Sequence, residues 1–143
     1  MIDDSAVRAA LEKPIRDAVE AGDLVGIPLV VERTPYDLSA SDIHLRARLF
    51  RGGERKITNA RTVATGFLNI EIWDRDANGV GRAEAVAGLI KPLYPIDARL
   101  NGLVLVVDAA VLSAGRATTE DGDEASEWFS VPVQVDYQVD QLG

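Results

Sequence analysis

Asp74, Asp76 and Asn78 stand at alternate positions ahead of Gly79. That is the spacing of the first half of an EF-hand calcium loop, in which alternate side-chain oxygens close round the ion and glycine makes the sharp turn. The second half departs from the motif. The twelfth position, which should hold a bidentate glutamate, is Ala85, with Glu84 one residue out of register, and the residues before Asp74 read as a strand rather than a helix. A cation loop and an ordinary Asp/Asn/Gly strand-to-helix turn are both open, and the departures favour the turn. Gly79-Val80-Gly81 lacks the third glycine of a dinucleotide fingerprint and its βαβ setting, so it reads as a flexible lead into a helix. His44 is the only histidine. It lies beside Arg46 and Arg48 with no nucleophile or orienting partner placed by the sequence, which favours a structural or surface role over general-base chemistry. The run Glu120 to Glu124 reads as a solvated acidic loop. There is no nucleophile elbow, HExxH or Walker pattern, and nothing positive supports an enzyme or a cofactor.

A second group points to contact rather than catalysis. Arg46, Arg48 and Phe50 alternate along one strand face, and Phe67 and Trp73 lie on the mixed face of the strand that should pair with it. Arginine and aromatic residues are the types enriched at protein interfaces. A covered second core face would explain the aromatics well but the two arginines poorly. Arg51, Arg55 and Lys56 give the expected hairpin tip, Arg51 to Lys56, a basic and mobile character. The expected consequence is that Arg46→Glu with Arg48→Glu weakens assembly and leaves the fold intact.

The elements that position these residues follow from periodicity. Val7, Ala10, Leu11, Ile15, Ala18 and Val19 recur at helical spacing, predicting a helix from Asp4 to about Ala21, with Ser5 as N-cap, Gly22 as stop and Pro14 as a kink or break. Ile27 to Glu32 reads as a strand entered through Pro28, and Thr34 to Asp37 as the turn that ends it. Ile43, Leu45, Ala47 and Leu49 should face the core. Gly52-Gly53 is the expected turn of a long antiparallel hairpin whose second strand carries Leu68, Ile70 and Ile72 inward. Ala83, Val86, Ala87, Ile90 and Leu93 define a second helix ended by Pro92 and Pro95. Asn101-Gly102 marks a turn into Leu103 to Val107, expected to be covered on both faces. Phe129, Val131, Val133, Val135 and Tyr137 share one face of the last strand, where Pro132 suggests an edge or a bulge.

The 143 residues suit one domain spanning 1–143, with 47% hydrophobic and 27% charged residues, an ordinary globular balance. The longest apolar run is far too short to cross a bilayer, and Met1-Ile2-Asp3-Asp4 does not open like a secretory signal, so no membrane association or export is expected. The absence of cysteine removes disulfides, thiolate zinc sites and a thiol nucleophile. A net charge of -8 weighs against adhesion to nucleic acid.

The order of strand Gly66 to Trp73, loop Asp74 to Gly81, short helix and closing strand Trp128 to Val139 resembles the tail terminator-like proteins of long-tailed bacteriophages. The resemblance covers most of the chain, from the Ser5 helix onward, and rests on element order and hydrophobic pattern, not on catalytic motifs. It implies an α+β fold: a mainly antiparallel sheet with a long hairpin and two helices packed on it. It implies a structural virion protein that assembles with itself as a homohexameric ring on the tail tube protein, stops tube polymerisation and meets a head-tail connector or stopper protein. Genomic DNA would pass through the lumen without specific binding. The expected location is the virion neck, and the host cytoplasm during assembly. Arg46, Arg48, Phe50, Arg51, Arg55, Lys56 and Trp73 are the interface candidates. Another neck protein, such as a head completion subunit, and a small soluble metal- or ligand-binding domain are the alternatives.

Overall fold

A computed structural model describes residues 3–32, 43–119 and 122–142. Helix α1 spans Asp4–Ala21, as the periodicity predicts. Its N-cap is Asp3 rather than Ser5: the Asp3 carboxylate accepts from the Ser5 and Ala6 N–H groups at 3.0 and 3.3 Å. Serine and aspartate cap equally well, and the chain places the acid one residue before the first turn, where it also suits the helix dipole. Pro14 does not break the helix. On that same turn the Tyr94 hydroxyl donates to the Leu11 carbonyl at 2.6 Å from across the core.

Strand β1 (Leu29–Val31) runs parallel to β2 (His44–Thr58), and β2 forms an antiparallel hairpin with β3 (Arg61–Arg75). The predicted turn between Thr34 and Asp37 lies outside the described residues. After β3, a 3-10 turn at Asp76–Asn78 leads into helix α2 (Gly81–Ile90), and a second 3-10 turn holds Pro92 at Lys91–Leu93. Strands β4 (Arg99–Leu100) and β5 (Val104–Val111) form a small hairpin. Asn101 and Gly102 both have positive φ, 52° and 69°, in a tight turn closed by the Leu103 N–H donating to the Leu100 carbonyl at 2.9 Å. Strand β6 (Gly115–Thr118) turns into β7 (Glu124–Leu142).

The sheet order is β1-β2-β3-β7-β5-β4, with β6 also on β7. Every pairing except β1 with β2 is antiparallel, so the chain has an α+β fold with a mostly antiparallel sheet. Leu45, Ala47, Leu68, Ile70, Ile72, Val131, Val133, Val135, Tyr137 and Val139 line one sheet face. Val7, Leu11 and Ile15 of α1 and Ala83, Val86, Ala87 and Ile90 of α2 close over them in one core. Each fully buried Leu or Ile contributes roughly 1.5–3 kcal/mol relative to exposure. Among the described residues no helix is long and apolar enough to cross a membrane.

Three expectations are corrected. The hairpin turn is Asn59-Ala60, and Gly52-Gly53 is a register shift within the paired strands, so Arg51 to Lys56 are strand residues rather than a tip. A Cβ on Gly52 would stand 2.7 Å from the Thr65 carbonyl oxygen, so the glycine serves a close strand approach. Leu103 to Val107 is covered on one face only: Val104 and Val106 are buried, whereas Val107 is 46% exposed. Pro132 is neither at an edge nor in a bulge; it sits mid-strand in β7, opposite Glu71 of β3. Its carbonyl accepts from Leu112 N–H on the other side, at the gap between β5 and β6. A residue in an antiparallel strand points its N and O to the same side, so the missing N–H falls where the two neighbours meet and no ladder donor is needed.

Candidate interaction surface

The hairpin register fixes what stands beside what on the sheet face away from the helices. His44 lies opposite Trp73, Arg46 opposite Glu71, Arg48 opposite Asn69 and Phe50 opposite Phe67. At one end the face carries a small second core of Trp73, Trp128, Ala117 and Ala125. His44 is buried within it, its ring 5.6 Å from that of Trp73 and 5.3 Å from that of Trp128. It is packed as a core side chain rather than displayed on the surface.

Arg46 belongs to the same cluster. Its guanidinium lies 3.9 Å over the Trp73 ring, and its Nε donates to His44 Nε2 at 3.1 Å, which assigns that nitrogen as the acceptor. Trp73 donates its indole N–H to Glu71 Oε1 at 3.1 Å. Trp73 is fully buried and offers no surface of its own; it holds Arg46 in place. Arg75 lies 4.5 Å over the Trp128 ring.

Beyond this cluster the face opens. Phe50 and Phe67 stack at 4.7 Å with their planes 17° apart, and the Arg48 guanidinium sits 5.3 Å over the Phe50 ring. Phe50 is exposed, and from there to Thr58 every residue of β2 is exposed. Arg51 reaches Asp4 at 3.4 Å, between two half-exposed side chains. Arg55 and Lys56 make no ion pair among the described residues. Glu32 ends the β1 ladder by accepting the Leu49 N–H, and among the described residues β2 then pairs with β3 alone.

Across the sheet the charge changes sign. On the same face β7 presents Gln134, Asp136, Gln138 and Asp140, with Asp108 of β5 in register with Asp136. Gln138 and then Arg61 hydrogen-bond to the Asp140 carboxylate, at 3.0 and 2.8 Å, and hold its pKa below the usual carboxylate range. One subunit thus carries a basic, aromatic strip along β2 and an acidic field along β7 and β5.

The Asp74 loop is occupied by its own chain. Asp74 is fully buried, and burial alone would raise its pKa. Hydrogen bonds from Arg82 (3.1 and 2.7 Å), Asn78 (2.9 Å) and the Arg75 N–H (2.8 Å) outweigh that and lower it. Asp76 pairs with Arg116 at 2.7 Å. Two of the three oxygens that the EF-hand spacing singled out are therefore engaged by arginine, which is turn chemistry. Among the described residues there is no group of three or more His, Asp or Glu arranged to hold a metal ion.

Sequence reasoning missed the pairing of His44 with Trp128, which come together only because β7 lies against β3. The alternation of residues Trp128 to Tyr137 puts Trp128 on the outer face, but no local signal says which strand is its neighbour.

No family model and no curated protein matches this chain. A solved structure is similar over 97% of this chain and 96% of its own, with a TM-score of 0.69 and 23% sequence identity. At that identity the likeness shows the fold alone.

Proposed function

We propose that this protein is a tail terminator-like structural subunit of a bacteriophage. In this reading it forms a hexameric ring that caps the tail tube, stops tube polymerisation and offers its far side to a head-tail connector. The observation that carries the reading is the unlike charge of two surfaces on one subunit, basic along β2 and acidic along β7 and β5. A closed ring is built from heterologous contacts, so each subunit needs two different complementary patches. The element order on which the resemblance rests supports the same reading. A net charge of -8 on each copy suits a channel through which DNA passes without sticking. The protein acts in the virion neck, after assembly in the host cytoplasm, with itself, tail tube protein and a connector as partners. It needs no cofactor and performs no catalysis.

The test is solution mass by light scattering, with the protein alone and with tail tube protein. A mass near six subunits, or a six-membered ring formed only on tube ends, supports the reading. A ring of another stoichiometry points to a different neck protein. A monomer indifferent to tube protein overturns the proposal.

A further inference from the structure

The basic arm of the hairpin has a matching surface on the opposite edge of the same sheet. Beyond Phe50, β2 runs on as the outer strand of a three-stranded extension with β3 and β7. It carries Arg55 and Lys56 beside the single acid Glu54, while Arg51 and Arg61 are paired with Asp4 and Asp140. Its exposed Ile57 adds an apolar contact point. The outer side of β2 beyond Leu49 is an open strand edge among the described residues, and such an edge gains from a partner lying against it.

The outer side of β5 presents the reverse. Ile96, Val107, Val111 and Leu112 are 62%, 46%, 41% and 43% exposed, apolar side chains on and beside the strand. Asp97 and Asp108, both exposed, stand beside it, the Asp97 N–H donating to the Val106 carbonyl at 2.8 Å. A shallow groove lined by Pro92, Tyr94, Pro95, Ile96, Asp108 and Ala109, with Lys91 at its margin, follows this edge.

We propose that the arm of one copy lies along this β5 edge of the next copy. The inference rests on the ring reading and says how the ring closes. Arg55 and Lys56 of the arm are opposite in sign to Asp97 and Asp108 at the groove, and β2 and β5 stand toward opposite ends of the strand order, so the contact is head-to-tail. That is the arrangement that generates a ring by repeated rotation. The Asp108 carboxylate already accepts the Ala109 N–H at 2.9 Å, which blunts the β5 backbone edge. The contact is therefore made chiefly by side chains rather than by adding a strand.

Two charge-reversed variants test it. One is Arg55→Glu with Lys56→Glu. The other is Asp108→Lys with Asp97→Asn, the asparagine keeping the left-handed backbone at φ 69°. Each variant alone faces like charge with like, and each is expected to need at least about tenfold more protein to assemble. Mixed one to one, they should recover the ring mass, because an acidic arm then meets a basic strip and the remaining contacts are native. Circular dichroism and melting curves confirm that each variant is folded. If wild-type rings form but both variants assemble like wild type, or if folded variants fail to recover on mixing, this inference is overturned and the ring reading stands. If the wild type forms no ring alone or with tube protein, both fall.

Discussion

Single residues divide into those that hold the fold and those exposed at its surface. Gly66 belongs to the first group. A Cβ there would lie 2.7 Å from the Tyr137 hydroxyl and would also collide with the Phe50 carbonyl oxygen, so Gly66→Ala is expected to cost about 1–3 kcal/mol, read as a lowered melting temperature. Asp74 is the second case. Its folded pKa is lowered, so it contributes stability that is present above the unfolded carboxylate pKa and is lost as pH falls through the folded value. Stability measured by denaturant titration should therefore fall below about pH 4, and Asp74→Asn should lose the share due to Asp74 while that of Asp140 remains. Arg46 and Arg48 now separate. Arg46→Glu breaks the contacts with Trp73 and His44 and should destabilise the monomer by about 1–2 kcal/mol. Arg48→Glu should leave melting nearly unchanged and act only on assembly. The alternation of Ile43 to Phe50 told which residues share a face. It did not tell that Trp128 would cover His44 and leave Phe50 open, because that depends on a strand more than seventy residues downstream.

Among the elements, the helices and inward strand faces were legible because each declares its own period. Helix α1 has the predicted bounds, and the inward residues of β3 and β7 are those the alternation named. Turns were legible only where they have a steric signature. Asn101-Gly102 adopts the positive φ values its residues favour. Gly52-Gly53 carries the same kind of signal, yet the close approach of Thr65 uses the glycine inside a strand instead. The outer half of the hairpin buries little of the main core, so replacing Glu54 to Thr62 by a two-residue Asn-Gly turn should keep the far-ultraviolet spectrum and most of the stability. In the proposed ring it should abolish assembly. The kink expected at Pro14 does not divide α1, and the Tyr94 hydroxyl bonds to the same turn. Tyr94→Phe should cost about 0.5–1.5 kcal/mol and be seen as faster amide exchange in the second half of α1.

For the molecule as a whole, the class of fold followed from the sequence, whereas the charged surface on which the proposal rests did not. The two charged fields arise from residues far apart in the chain that become neighbours only through strand order. If those fields join copies, assembly should weaken as salt rises from about 0.05 to 0.5 M, because screening shortens from beyond 10 Å to a few ångströms. Light scattering across that range measures it, and a salt-independent ring would place the contact in apolar packing instead. Strand β7 carries a different consequence. It is the spine of the sheet, yet it follows the other six strands in the chain. During synthesis β3 and β5 leave the ribosome with their inner edges bare, and the helices have no finished surface to settle on. The fold should close late and in one cooperative step, and the nascent chain should be a client for chaperones that shield open strand edges until β7 emerges.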